Sequence, residues 1–328
     1  MKTRVTEMLG IQYPIVQGGL AYLAYADLAA AVSNAGGLGQ ITAMTLKMPE
    51  KLRKEIHKVR SLTSKPFGVN FAVGGQTEGS YKELLEVAVE ESVPVISITG
   101  ANPTPIFERL KGTGIKTLVL VANVRQAQKA EALGADAVMA VGQEAGGHIG
   151  RDDLGTMVLI PRVVESVSIP VLASGGIGSG KGLLAAFSLG AEGIEMGTRF
   201  IATKECVDAG EAYKKAIVEG TERDTVVIKR SLGTPGRVLK SDYTLNIISR
   251  EDEGQTYEDL KDVISGKANC RYIYENKQEE GFGWAGQVIG LINDIPTVQE
   301  LFNEMIEEFE TGLKRLNWIA ENSCERSS

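Results

Sequence analysis

Histidine is almost absent from this sequence, with two in 328 residues, and cysteine is little commoner, with three. Cys206, Cys270 and Cys324 lie far apart and form no C-x-x-C pair. That spacing excludes a disulfide framework and a cysteine-built zinc site, so no metal is expected. Free thiols suit a reducing compartment, and the expected location is the cytoplasm. No apolar run approaches the roughly 20 residues of a spanning helix. The opening segment MKTRVTEMLGIQYP lacks the apolar centre of a secretory signal. A block of basic residues is also missing: 35 Lys and Arg stand against 42 Asp and Glu, for a net charge of −7. The chain therefore reads as soluble, with neither nucleic acid nor membrane as partner and a small molecule as substrate.

Glycine is abundant, at 38, and it clusters just after short apolar runs. Eight such runs occur in the first 200 residues: Tyr13–Gln17, Leu38–Ile41, Phe67–Asn70, Val95–Thr99, Thr117–Ala122, Ala137–Val141, Pro170–Ala173 and Gly193–Met196. Segments of helical periodicity alternate with them, including Tyr25–Asn34, Pro49–Leu62, Tyr81–Glu91, Val124–Leu133, Met157–Ser166 and Gly180–Leu189. Short runs buried on both faces suit parallel strands, and eight βα units make a (β/α)8 barrel of the TIM type, class α/β. The segments LGADAVMAVG (Leu133–Gly142) and LGAEGIEMG (Leu189–Gly197) echo one another, as successive βα units do. Past Gly197 the alternation weakens. Residues from about 206 to 282 read as a smaller, mainly helical lid domain. Residues 1–205 with about 283–328 form the barrel and a C-terminal amphipathic helix, Thr297–Ala320. The tail ENSCERSS is expected to fray, and a homodimer through the last helix is compatible with its pattern.

Two of the runs end in glycine-rich turns that lead into helices. The seventh runs into LASGGIGSGKG (Leu172–Gly182) and the eighth into EMGTRF (Glu195–Phe200). Backbone N–H groups at such turns point outward, and glycine lets an anion approach closely. Barrels often bind phosphate there, which nominates Gly175, Gly176, Gly197 and Thr198, with Ser174 nearby. A Rossmann site is disfavoured, because QGGLAY after the first run lacks the third glycine. His57 lies in a helix with a charged face and reads as a surface residue. His148 follows two glycines beyond the sixth run, on the rim where barrels place chemistry, and imidazole suits proton transfer near neutrality. An aldolase-type barrel would favour a rim lysine on the sixth strand, and none is there.

Taken in order, PIVQGG (Pro14–Gly19), NAGGLG (Asn34–Gly39), KPFGVN (Lys65–Asn70), EAGGHIG (Glu144–Gly150), ASGGI (Ala173–Ile177), MGTRF (Met196–Phe200) and WAGQ (Trp284–Gln287) resemble the nitronate monooxygenase family. Its superfamily also holds NADH:quinone reductases and enoyl-acyl carrier protein reductase II. The resemblance covers nearly the whole chain. It implies FMN as cofactor, with NADH or NADPH as co-substrate in the reductase branches. Gln17, Gly18 and Gly19 are implied at the flavin ring, Asn70 as a hydrogen-bonding partner of the flavin, Gln287 as closing over the ring, and Gly147 as a further cofactor-binding residue. Ser174, Gly175, Gly176, Gly197 and Thr198 are implied at its phosphate, and His148 as the catalytic histidine. The implied function is oxidation of alkyl nitronates with O2. The alternatives are NAD(P)H-dependent reduction of quinones or enoyl thioesters, and an FMN-binding regulator without turnover. QITAMT (Gln40–Thr45) and the insertion RDDLG (Arg151–Gly155) resemble the nitronate and quinone-reductase side.

Overall fold

Runs of β-branched and small apolar residues become strands in the computed structural model, which describes residues 1–74 and 81–324. Eight of them are β1 (Ile15–Gln17), β2 (Gly39–Thr42), β3 (Phe67–Val73), β4 (Val95–Gly100), β5 (Lys116–Val121), β6 (Ala137–Val141), β8 (Val171–Ser174) and β9 (Gly193–Met196). A two-residue strand, β7 (Gly147–His148), belongs to a separate sheet. The eight pair in parallel in the order β1-β9-β8-β6-β5-β4-β3-β2, the expected barrel. Its seam lies between β1 and β2. One parallel bridge, Val16 to Leu38, closes it, with Leu38 N–H donating to the Ile15 carbonyl and Gln17 N–H to the Leu38 carbonyl, both at 2.9 Å. Side chains then extend the ladder. Gln40 N–H donates to Gln17 Oε1 (2.9 Å), Gln40 Nε2 to the Gln17 carbonyl (2.7 Å) and Gln17 Nε2 to the Gln40 carbonyl (3.2 Å).

Alternation along the strands sorts their residues into two cores. Val16, Leu38, Val95, Leu118, Ala137, Met139 and Leu172 fill the cylinder, joined by Val5 and Leu9 of helix α1 (Arg4–Leu9). Neighbours such as Ile15, Val69, Ile96, Val119, Val138, Val171 and Ile194 face outward into a second cluster. There they meet helices α2 (Ala26–Asn34), α3 (Pro49–Leu62), α4 (Lys82–Glu90), α6 (Val124–Ala132), α7 (Thr156–Val164) and α8 (Gly180–Ser188). These six lie where the periodicity put them. Helix α5 (Thr104–Leu110) does not announce itself, because prolines at 103 and 105 read as a turn, although proline is well suited to a helix start. Gly39 marks the tightest approach in this layer: a Cβ there would lie 1.8 Å from the Ala29 carbonyl oxygen of α2.

Beyond α9 (Thr198–Ile201) and α10 (Glu211–Val218), the segment read as helical also contains an antiparallel sheet. Strands β10 (Thr225–Ile228) and β11 (Gly236–Leu239) form a hairpin, and β7 pairs on the far side of β11. Helices α11 (Asp242–Asp252), α12 (Tyr257–Leu260) and α13 (Gly266–Glu275) follow. Ile228, Val238, Ile247, Ala268 and Phe282 make a small core of their own. Cys206, Tyr213 and Tyr272, from the same stretch, pack into the outer barrel cluster instead. The last helix, α14 (Val298–Cys324), docks through Val298, Leu301, Phe302 and Met305. It continues past Ala320, so residues 321–324 are helical rather than frayed; residues 325–328 of the tail lie outside the described residues. No described helix is long and apolar enough to cross a membrane.

Replacing Gly39 by alanine forces α2 off β2. The expected outcome is a loss of about 1–3 kcal/mol, seen as a lower midpoint in thermal unfolding. An unchanged melt would show that α2 has room to retreat.

Candidate functional site

The apolar filling of the cylinder gives way to polar side chains at the C-terminal ends of the strands. Gln40, Thr42, Asn70, Ser97 and Ser174 are all buried there. Asn70 Nδ2 donates to Ser97 Oγ at 2.9 Å, and the Ser174 hydroxyl donates to Glu195. Burial pushes the Glu195 carboxyl above its ordinary pKa, an effect the Ser174 hydrogen bond opposes. Gln40 Oε1 and Thr42 Oγ1 are buried with no hydrogen-bond partner among the described residues. Buried polar atoms are nearly always paired, so this layer is shaped for the polar atoms of a ligand. Gly18 and Gly19 press onto the same layer. A Cβ at Gly18 would lie 2.0 Å from Glu195 Oε1, and one at Gly19 would lie 2.3 Å from Asn70 Oδ1.

The glycine turns after β8 and β9 converge beside this mouth. Gly175 and Gly176 take φ values of 93° and 73°, which disfavour any side chain. Thr198 Oγ1 accepts from Gly286 N–H at 3.0 Å, and Gln287 N–H donates to the Glu144 carbonyl at 2.9 Å. The Glu144 carboxylate accepts from Thr156 N–H at 3.0 Å and from the Thr156 hydroxyl at 2.9 Å, which ties the loop after β6 to the start of α7. Glu144, Gly175, Gly176, Ile177, Gln287 and Val288 border one cavity of about 430 Å³. Of the residues expected at a phosphate, Gly175 and Gly176 line this cavity, Gly197 and Thr198 do not, and the Ser174 hydroxyl is turned to Glu195. The Gln17 side chain is committed to the barrel seam, leaving Gly18 and Gly19 as the parts of PIVQGG at the mouth.

His148 reaches its position through β7. Gly147, with φ 79°, turns the chain off the barrel, and His148 then stands opposite Gly236 of β11. Its Nε2 lies 2.8 Å from Lys229 Nζ. Trp284 completes the cluster: its ring centroid is 5.2 Å from that of His148, and Lys229 Nζ sits 4.9 Å from the same indole. Gly236 is required beneath Trp284, since a Cβ there would come within 2.6 Å of the indole. Lys229 is 7% exposed and adopts φ 63°, a left-handed conformation that is strained for lysine. The Glu251 carboxylate holds this turn, accepting from Lys229 N–H (2.7 Å), Ser231 N–H (3.2 Å) and the Ser231 hydroxyl (2.8 Å).

The surrounding protein, and then the Lys229 ammonium, lower the His148 pKa to about 3. His148 is exposed as a residue, and both causes favour neutral imidazole. Desolvation lowers Lys229 to about 8, against a raising effect of Glu251. An ammonium has no lone pair, so at neutral pH His148 Nε2 accepts from Lys229 and the ring proton resides on Nδ1.

Sequence reasoning missed Lys229 and Glu251. A single lysine at a strand end carries no motif, and only the β7–β11 pairing brings it to His148, 81 residues away in the chain. Arg237 is buried and donates to the Gln143 carbonyl (3.0 Å) and Thr225 Oγ1 (3.2 Å), so it braces the loop. Trp284 does line the rim. Tyr22 stacks edge-on with Tyr274, and Tyr25 donates to Thr45 Oγ1 at 3.1 Å. His57 is a surface residue bonded to Glu91 at 3.1 Å.

A barrel whose strand ends and glycine turns form a polar mouth beneath a rim histidine is the architecture of a small-molecule enzyme. The family model described as nitronate monooxygenase matches residues 2–308, and the chain belongs to that family. A probable nitronate monooxygenase of Staphylococcus aureus is 37% identical over 87% of this chain and 91% of its own length. The (3aS,4S,5R,7aS)-5-hydroxy-7a-methyl-1-oxo-octahydro-1H-indene-4-carboxyl-CoA dehydrogenase of Rhodococcus jostii is 32% identical, with 97% of each chain covered. Among solved structures, FabK from Thermotoga maritima superposes with a TM-score of 0.91 at 40% identity, covering 97% of this chain and 99% of that one. Nitroalkane oxidase from Streptomyces ansochromogenes gives 0.82 at 28% identity, covering 96% and 100%. The chain is an oxidoreductase.

The unfolded chain protonates His148 near its ordinary pKa of 6.5, whereas the folded chain resists until about 3. Acid therefore favours unfolding across that window, and stability falls as pH drops through it. Removing the titrating ring by His148→Asn is expected to flatten the plot of melting temperature against pH between 6.5 and 3. Parallel curves for the two proteins would show that the folded protein takes up this proton freely.

Proposed function

We propose that the chain is an FMN-dependent oxidoreductase that oxidises alkyl nitronates with O2, with FMN held at the barrel mouth. The residues there fit the group. Gly175, Gly176, Gly197 and Thr198 hold the phosphate, with Ser174 at the edge of that cradle. Gly18, Gly19 and Gly147 border the ring, Asn70 bonds it, and Gln287 closes over it. Gln40 Oε1 and Thr42 Oγ1 supply acceptors that the protein itself leaves unused. Bound FMN supplies the electron chemistry, and the protein supplies position and electrostatics.

The observation that carries the nitronate reading is the 2.8 Å contact of His148 Nε2 with Lys229 Nζ, which occupies that ring nitrogen. Reduction of an enoyl thioester ends with a proton delivered to carbon, and a neutral His148 ring offers only a weakly acidic N–H for that step. Oxidation of a nitronate makes no such demand, since the anion is already deprotonated. A second reading, NAD(P)H-dependent reduction of an enoyl thioester, is supported by the 40% identity to FabK over nearly the whole chain. In that reading the Lys229 ammonium is the proton source.

The test is anaerobic mixing of the FMN-loaded protein with propyl-2-nitronate, NADH and NADPH in turn, followed by the flavin absorbance. The expected result is bleaching by nitronate and none by either nicotinamide. Bleaching by a nicotinamide alone, with oxidation restored by crotonyl thioester, replaces the first reading with the second. A preparation that neither contains nor rebinds FMN overturns both.

A further inference from the structure

Helix α14 outruns the body it packs on. Its inner face docks through Val298, Leu301, Phe302 and Met305, and Phe309 meets Phe187 of α8 edge-on. At Gly312 it still touches α8, where a Cβ would lie 2.7 Å from Leu184 Cδ2. Beyond that point the support ends. Every residue from 313 to 322 is exposed, including Leu316 (42%) and Trp318 (64%). A helical stretch that short is marginal in water on its own backbone bonds. Between α14 and α8 lies a groove of about 590 Å³. Leu184 and Ala185 of α8 and Gly312 and Leu316 of α14 line it, with Glu307 and Arg315 on its border.

Charge is sorted along the ridge beside this groove. Residues 304, 311 and 318 recur at every seventh position of α14, with 307–308 and 314–315 between them, so they share one face of the helix. Glu304, Glu307 and Glu308 make the first half of that face acidic. Lys314, Arg315 and Trp318 make the second half basic and aromatic. Within the chain Lys181 pairs with Glu308 at 3.8 Å and Lys204 with Glu300 at 3.6 Å, whereas Glu304, Glu307, Lys314 and Arg315 form no ion pair among the described residues.

We propose that this ridge and groove are an interface with a second copy of the chain, the two α14 helices lying antiparallel about a two-fold axis at Thr311. That arrangement makes the face complementary to itself. Arg315 of one copy meets Glu307 of the other, Lys314 meets Glu308, and Trp318 meets Glu304 at the Lys181 end of the groove. The axis repeats each contact, and the aromatic and apolar residues of the overhang leave water. A parallel copy sets acid against acid and base against base. An anionic lipid surface meets the same Glu304 and Glu307, so neither alternative suits the pattern.

The test is the mass of the full chain in solution, by light scattering and by sedimentation across a dilution series. Two chains are expected at the concentrated end. Trp318 emission is expected to shift to shorter wavelength as they pair, over a constant contribution from Trp284, the other tryptophan of the chain. Arg315→Glu is expected to weaken pairing about tenfold, because the axis turns both copies of an attractive contact into repulsive ones. Glu307→Arg is expected to do the same, and Trp318→Ala to weaken pairing by removing the anchor. Combining Arg315→Glu with Glu307→Arg exchanges the charges and is expected to restore the two-chain mass, which also shows that the substituted chain folds. A single-chain mass at every concentration overturns the proposal and leaves the groove to another partner. A two-chain mass that ignores Arg315→Glu and Trp318→Ala places the contact elsewhere and overturns it as well. Failure of the exchanged charges to restore pairing overturns the antiparallel register, and the proposal with it.

Discussion

A pairing between two-residue strand β7 and β11 holds the reactive corner of this molecule together. The loop after β6 belongs to the barrel, whereas β11 belongs to the small sheet, and His148 opposite Gly236 joins them. Everything polar at the rim depends on that register. Trp284 rests over Gly236 because no side chain intervenes, His148 meets Trp284, and the turn after β10 delivers Lys229 to His148. A shift of one residue along β11 would reverse the faces and turn His148 away from Lys229. Arg237 guards against this by tying β11 to the Gln143 carbonyl at the root of the same loop.

The mouth below is governed by a different balance. Inside the cylinder, apolar residues pack without strain and specify little beyond volume. One layer higher, Gln40, Thr42, Asn70, Ser97 and Ser174 bring polar atoms into a buried setting, where each needs a partner. Some find it in the protein, as Asn70 does with Ser97. Others, Gln40 Oε1 and Thr42 Oγ1, have no partner among the described residues. Stability is thereby traded for recognition at the place where the strands end.

Most of the barrel could be read from the sequence because each βα unit is specified locally: an apolar run, a glycine turn, a periodic helix. The glycine turns after β8 and β9, and His148 after its own glycine pair, were visible for the same reason. The small antiparallel sheet was not. Thr225–Ile228 and Gly236–Leu239 are short and set among charged residues, and β7 is two residues long, so no periodicity can accumulate. Lys229 was hidden for a related reason. Its importance comes from a contact across 81 residues and from a backbone turn held by Glu251, neither of which leaves a local pattern. Gln17 was legible as a residue next to the mouth, but its engagement with Gln40 follows from barrel closure, which no single segment encodes.

That engagement joins two properties usually treated apart. A cylinder of strands is ordinarily sealed by backbone bonds all the way round, and its integrity is then indifferent to what sits on top. Here the last seam has one backbone bridge, at Val16 and Leu38, and the amides of Gln17 and Gln40 extend it. Gln17 is followed at once by Gly18 and Gly19 at the mouth, and Gln40 keeps one buried oxygen, beside Gly68, without a partner among the described residues. A guest that rested on those glycines would bear on the residue next to the seam, so occupancy and closure would be linked by mass action, and the grip of the mouth on its guest would also be part of the grip of the barrel on itself.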